Sequence, residues 1–228
     1  MSSYYNSASG CIAGWCLVTM ADGNKKPIQD IMKGDKVKTA GSDIKVKCVI
    51  KTKCDNNQIK LVKYTDKLYI TEYHPILGFS RYTNEPKPWI FPCSLKRGEV
   101  VNCDAVYNLV LDNGHIIEID GVYCVTLGHG LEEHIVKHEY FGTEKVIKDL
   151  EKIDGYSDGF IEIEQSNYIR DETNKVCGIQ IRPNQKTKKN IILDKESFSK
   201  YNFQNLDSDD IRVIDNILYN GVGELFCN

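Results

Sequence analysis

The chain has 228 residues, of which 41% are hydrophobic and 27% charged, and its net charge is −3. That length can bury a sizeable core, and the absence of a basic surplus argues against nucleic acid or an acidic membrane surface as a partner. Nine cysteines, an odd number without any Cys-x-x-Cys pair, do not suit the disulfide scaffold of a small secreted domain. No signal-peptide pattern occupies residues 1–10 and no apolar run reaches membrane-spanning length, so a reducing, cytoplasmic setting with reduced thiols is expected.

In chain order, residues 1–10 are rich in Ser, Asn and Tyr and read as a flexible arm. From Cys11 to about Gly130 the pattern is that of short strands. Asp43-Ile44-Lys45-Val46-Lys47-Cys48-Val49-Ile50 alternates polar and apolar residues, and residues 115–125 do so less strictly. Leu68-Tyr69-Ile70-Thr71 is rich in strand formers and is broken by Pro75. Asp22-Gly23, Lys33-Gly34-Asp35, Arg97-Gly98, Asp112-Asn113-Gly114 and Asp120-Gly121 punctuate these runs as turns. The result is a mainly β unit. One short helix is predicted over residues 27–34, with Pro27 at its start and Gly34 after its end.

Beyond Gly130 the character changes. Apolar residues at 146, 147, 150 and 153 predict a helix over residues 143–153, capped by Thr143 and stopped by Gly155. Residues 160–164 and 176–181 read as strands, 184–190 as a polar, basic linker, and 209–219 as a last helix.

The opening Gly10-Cys11 carries the chemistry. A cysteine can attack the carbonyl before it and turn the amide into a thioester, an uphill step that needs a strained or polarised peptide group. Gly10 lets the chain bend sharply there. Thr71 and His74, three residues apart, offer a hydroxyl and an imidazole that can hydrogen-bond that peptide and protonate the departing amine. Taken singly, each piece has a plainer reading: a small core cysteine, or a histidine satisfying a local hydrogen bond. His129, His134 and His138 form a His-x4-His-x3-His run, but the helical signal around them is poor and no carboxylate or cysteine pattern completes a ligand set. No metal site and no cofactor are expected. His129 is instead a candidate second acid or base.

Cys11-Ile12-Ala13-Gly14-Trp15-Cys16-Leu17-Val18, with Ala21-Asp22-Gly23, Ile28, Ile31 and Gly34-Asp35-Lys36-Val37, resembles the first sequence block of the Hint family shared by inteins and hedgehog proteins. Thr71-Glu72-Tyr73-His74-Pro75 resembles its second block. Val106-Tyr107-Asn108-Leu109 through Asp120-Gly121-Val122 resembles its final strands. Cys93, Cys103-Asp104-Ala105-Val106-Tyr107, Cys124-Val125-Thr126-Leu127-Gly128-His129-Gly130, Tyr140-Phe141-Gly142-Thr143, Arg170-Asp171 and Val176-Cys177-Gly178 are similar to the Vint subfamily, the Hint-type module found with von Willebrand A domains.

The resemblance implies an all-β horseshoe with pseudo-twofold symmetry and a C-terminal extension holding one or two short helices. It implies residues 1–10 as a flexible segment, 11–130 as the core and 131–181 as a Vint-type extension, with 182–228 a linker and terminal segment of no assigned role. The implied activity is single-turnover self-processing. Cys11 is the nucleophile, Thr71 and His74 activate the Gly10–Cys11 bond, the chain's own N-terminal segment is the substrate, and water or a small nucleophile resolves the thioester. A von Willebrand A type domain in the parent protein is the implied partner.

An intein ends in a His-Asn pair, where this chain has Val125 and Thr126, so full splicing is not expected. A hedgehog module activates its sterol with an Asp that falls at Cys54 or Asp55 here, which leaves sterol transfer without support. The hedgehog last-strand cysteine aligns with Thr126, with Cys124 two residues away on the same strand face. Thr126 is therefore a candidate catalytic residue, and Cys54 and Cys124 are candidate auxiliary or redox residues. Two other readings stand beside self-processing. One is a Hint fold retained as a non-catalytic interaction module. The other is a thiol hydrolase acting on other proteins through Cys11 and His74.

Overall fold

Short strands dominate the computed structural model, which describes residues 10–39, 41–77 and 88–180, all inside the unit Met1–Thr187. They are β1 (Ile12–Ala13), β2 (Leu17–Thr19), β3 (Lys25–Pro27), β4 (Lys36–Val37), β5 (Ile44–Lys53), β6 (Gln58–Lys63), β7 (Tyr69–Thr71) and β8 (Ile76–Leu77). After these come β9 (Glu99–Asn102), β10 (Ala105–Leu111), β11 (Ile116–Ile119), β12 (Val122–Val125), the helix α1 (Glu144–Leu150), β13 (Phe160–Glu164), β14 (Tyr168–Arg170) and β15 (Val176–Ile179). The expected mainly β architecture is the one observed. The arm before residue 10 and the proposed 209–219 helix lie outside the described residues.

The strands form an eight-stranded sheet in the order β13-β5-β10-β1-β7-β6-β9, with β4 also on β5, a five-stranded sheet in the order β3-β2-β11-β12-β8, and the hairpin β14-β15. Two-residue β1 lies between β10 and β7, Ile12 facing Tyr107 on one side and Ile70 on the other. A strand that short is marginal alone. Here both its edges are paired, and Ile12 and Ala13 are wholly buried. The backbone leaving Cys11 is therefore fixed from both sides.

β5 is the hub of the sheet. Its alternation puts Ile44, Val46 and Cys48 inside, and it runs on to Lys53 because β10 pairs with it from Leu111 to Ala105. β10 is buried at all seven positions. β11 and β12 form a hairpin over Asp120 and Gly121, both with positive φ (51° and 74°), the conformation that a tight two-residue hairpin turn requires.

Two expectations need correction. Residues 27–34 do not form an α-helix. A single 3-10 turn spans Ile28–Asp30, and Ile31 is already extended at φ −68°, ψ 141°. Ile28 and Ile31 are both buried, and a spacing of three suits a 3-10 turn as well as an α-helix. α1 stops at Leu150 rather than at residue 153. Thr143 does cap its start, its hydroxyl accepting from the Lys145 N–H at 3.4 Å, but the Ile153 N–H bonds to Leu150 three residues back and the last turn tightens.

Residues beyond 126 add a second core. Leu127, Tyr140, Phe141, Val146, Ile147, Leu150, Ile161 and Ile163 pack with Cys48, Ile50 and Val110. β13 lies parallel to β5, Phe160 beside Val49 and Glu164 beside Lys53, with Glu162 paired to Lys51 at 3.0 Å and to Lys53 at 2.7 Å. Among the described residues, no helix is long and apolar enough to cross a membrane.

Candidate functional site

The two β1 neighbours converge on one peptide unit. Thr71 ends β7 and holds Cys11 twice: its N–H donates to the Cys11 carbonyl at 3.0 Å, and its Oγ1 accepts from the Cys11 N–H at 3.0 Å. From β10, Asn108 Nδ2 donates to the Gly10 carbonyl at 2.6 Å. Asn108 Oδ1 in turn accepts from the Leu109 N–H at 2.7 Å, which fixes the side-chain amide and its donor end. The Gly10–Cys11 amide is thus held at its oxygen by Asn108 and at its nitrogen by Thr71.

His74 supplies the third contact. The turn after β7 returns its N–H to the Thr71 carbonyl at 3.1 Å, which places the ring beneath β1. His74 Nε2 lies 2.9 Å from the Val125 carbonyl at the end of β12. A carbonyl only accepts, so Nε2 carries the proton and Nδ1 presents its lone pair. Nδ1 is buried without a completed hydrogen bond. It faces Gly10: a Cβ built there would meet Nδ1 at 3.1 Å and Cγ at 3.2 Å. Glycine at position 10 lets the backbone lie against the imidazole. Complete burial pushes the His74 pKa down to about 4, with the charge of His129 acting in the same direction and the Val125, Gly10 and Cys11 backbone groups opposing it. At neutral pH His74 is an uncharged base.

Of the residues expected at the site, Gly10, Cys11, Thr71 and His74 therefore meet around one amide. Thr126 is buried directly after Val125, its hydroxyl without a hydrogen-bond partner. His129 comes from the start of the added region, where Gly128 and Gly130 on either side have positive φ (72° and 67°). Its Nδ1 accepts from the Leu131 N–H at 3.0 Å, and burial pushes its pKa to about 4. Cys54 lies within electrostatic reach of Cys11, but its first neighbour is Cys103. Cys124 is fully buried beside Cys16, its thiol directed to the Val122 carbonyl at 4.0 Å. His134 is exposed while His129 and His138 are buried. Among the described residues no three His, Cys, Asp or Glu side chains group to hold a metal ion.

Asn108 is the site residue that sequence reasoning missed. Its signal was present: it is the one amide side chain in the buried run Ala105–Leu111. A buried amide in such a strand must find partners, and it finds the Gly10 carbonyl.

The Vint family model, described as a Hint-domain, matches residues 10–178. A comparison with curated protein sequences gives no match. Among solved structures the chain is similar to the gp41-1 intein (15% identity, 52% of this chain and 99% of that one, TM-score 0.36). It is also similar to a DnaB intein from Synechocystis sp. PCC 6803 (15% identity, 52% and 99%, TM-score 0.38) and to the Ssp DnaB mini-intein variant M86 (14% identity, 52% and 95%, TM-score 0.37). With the family match running from Gly10, through β1, β7, β10 and β12, to the edge of β15, the chain belongs to the Vint family of Hint domains.

Proposed function

We propose that the chain is a single-turnover, self-processing domain whose substrate is its own Gly10–Cys11 bond. The observation that carries this reading is the grip on that amide: Asn108 on the carbonyl, Thr71 on the N–H, and the lone pair of a neutral His74 facing it. In the first step His74 Nδ1 takes the Cys11 thiol proton and the sulfur attacks the Gly10 carbonyl carbon. Negative charge develops on the oxygen that Asn108 Nδ2 already contacts, which is the placement of an oxyanion donor. His74 then returns the proton to the Cys11 nitrogen, the C–N bond breaks, and a Gly10 thioester on Cys11 Sγ remains beside a new amine. Thr71, bonded to that nitrogen in the starting amide, orients it to receive the proton.

Water or a small nucleophile then cleaves the thioester and releases residues 1–10. Val125 offers His74 only a backbone carbonyl, and position 126 holds a threonine, so the asparagine cyclisation that completes splicing has no side chain to perform it. In this reading the setting is reducing and cytoplasmic, which keeps the Cys11 thiol available. A von Willebrand A type domain in the parent protein is the proposed partner.

The test is intact-mass spectrometry of the purified chain with and without hydroxylamine, beside Cys11→Ala and His74→Ala. Nucleophile-dependent loss of residues 1–10, absent in Cys11→Ala and slowed in His74→Ala, is the expected result. An unchanged mass in a folded chain would favour the non-catalytic interaction module instead.

A further inference from the structure

A second pair of reactive groups lies one strand away from Cys11. β5 ends at Lys53, paired with Ala105, and the ladder continues one residue further: the Cys54 N–H donates to the Asp104 carbonyl at 2.8 Å. Opposite it, the Cys103 N–H donates to the Asn57 carbonyl at 2.9 Å, joining the entry to β10 to the 3-10 turn Asp55–Asn57. These two bonds bring the backbones of Cys54 and Cys103 to the same end of the β5–β10 ladder. Both thiols are buried in the same cluster as Cys11.

Each thiol is the first electrostatic influence on the other. The Cys103 S–H donates to the Ala105 carbonyl at 3.0 Å. The two are unequal: Cys103 is held below the ordinary thiol range, while its neighbour and burial push Cys54 up. The turn above them is a point of entry. Residues 55–57 are exposed, and Asn56 and Asn57 both hold positive φ (53° and 54°), the left-handed turn conformation that asparagine tolerates.

We propose that Cys54 and Cys103 form a redox-active dithiol, a modification site that hydrogen peroxide converts to a disulfide. Cys103, the more acidic thiol, attacks one peroxide oxygen as its thiolate, the O–O bond breaks, and the released hydroxide takes the thiol's proton to become water. The Cys54 sulfur then attacks the sulfur of the Cys103 sulfenic acid. An S–S bond forms, the S–O bond breaks, and hydroxide leaves with the Cys54 proton as a second water. In sum two thiols and one peroxide give one disulfide and two waters. The other interior thiols are poorer competitors, since burial holds Cys16, Cys48 and Cys124 above the ordinary range. The new bond would join the two ends of segment 54–103, which carries Thr71 and His74, and so constrain the unfolded chain.

Peroxide treatment followed by non-reducing peptide mapping tests this on the full chain and on Cys11→Ala. A Cys54–Cys103 cross-linked peptide is expected in both. A rise in melting temperature of roughly 5–10 °C, reversed by a reductant, should accompany it. Cys103→Ser should lose the cross-link and the rise together. Linkage of Cys54 to Cys11 instead, or recovery of Cys54 and Cys103 as unlinked thiols after peroxide, would overturn the proposal. Because the Cys11→Ala chain cannot self-process, formation of the cross-link there is read independently of the reaction at Gly10–Cys11.

Discussion

Residues 10–126 and residues 127–180 bury polar side chains to different ends. In the first region Thr71, His74 and Asn108, all buried, direct their side chains to the backbone of Gly10, Cys11 and Val125, which lie in other segments. In the second, the buried His138 satisfies its own turn, its Nδ1 accepting from the Tyr140 and Phe141 N–H groups, and the buried Asn167 stays within its own region, its Oδ1 accepting from the Glu164 N–H and its Nδ2 donating to the Gln180 carbonyl. A buried polar group has to be bonded in either case. Spending those bonds across the fold fixes the geometry of a distant peptide, whereas spending them within one region fixes only that region. On the proposed function, the first region carries the chemistry and the second supports it, with His129 the electrostatic link between them.

The sharpest break of this division is His74→Ala. Removing a positioned acid–base group costs about 10²- to 10⁴-fold in rate. The release of residues 1–10 in hydroxylamine, followed by mass spectrometry, should slow by that factor while the urea unfolding transition stays cooperative. Phe141→Ala probes the other side. Phe141 is packed against His138, Tyr140 and Tyr168 with ring centroids 4.8, 5.4 and 5.7 Å away. Truncation should cost about 3–5 kcal/mol in urea denaturation, and the rate per folded molecule should stay within a few-fold of the parent. Equal loss of rate and stability would erase the division.

Asn108→Ala sharpens it within the first region. Loss of one oxyanion donor should lower the rate about 10²- to 10³-fold. Asn108→Asp, which keeps the acceptor for Leu109 but not the donor for Gly10, should fall with it. The smallest effect is on pH. The folded pKa values of His74 and His129 are both near 4, below the value of about 6.5 for an unfolded histidine. Their contribution is complete above pH 6.5 and is lost as pH falls toward 4, because the unfolded chain then binds protons that the folded chain refuses. For His74 alone this amounts to about 3 kcal/mol. Urea midpoints should decline between pH 6.5 and 4, and His129→Gln should flatten part of that slope.

Much of this was legible in the sequence, and the rest was hidden for definable reasons. The Thr71-x-x-His74 spacing can be read because both residues serve one turn, and strands such as Phe160–Glu164 declare themselves by composition. Nothing local says that this strand runs parallel to β5, more than a hundred residues earlier, since alternation encodes a face and not a partner. The helix predicted over residues 27–34 fails on the same ambiguity in a spacing of three. Asn108 was read only as one letter in a strand, because its meaning depends on a carbonyl that approaches it from residue 10. Cys54 and Cys103 meet only once β5 and β10 have paired.

The scatter of the site along the chain also sets a clock. Gly10 and Cys11 leave the ribosome before the others, Thr71 and His74 follow, Asn108 later still, and the Val125 carbonyl that orients the imidazole comes last. At ordinary elongation rates the interval from residue 11 to residue 125 is roughly 6–23 s. During that time the Gly10–Cys11 bond is an ordinary peptide in a nascent chain, protected by nothing more than the absence of its partners.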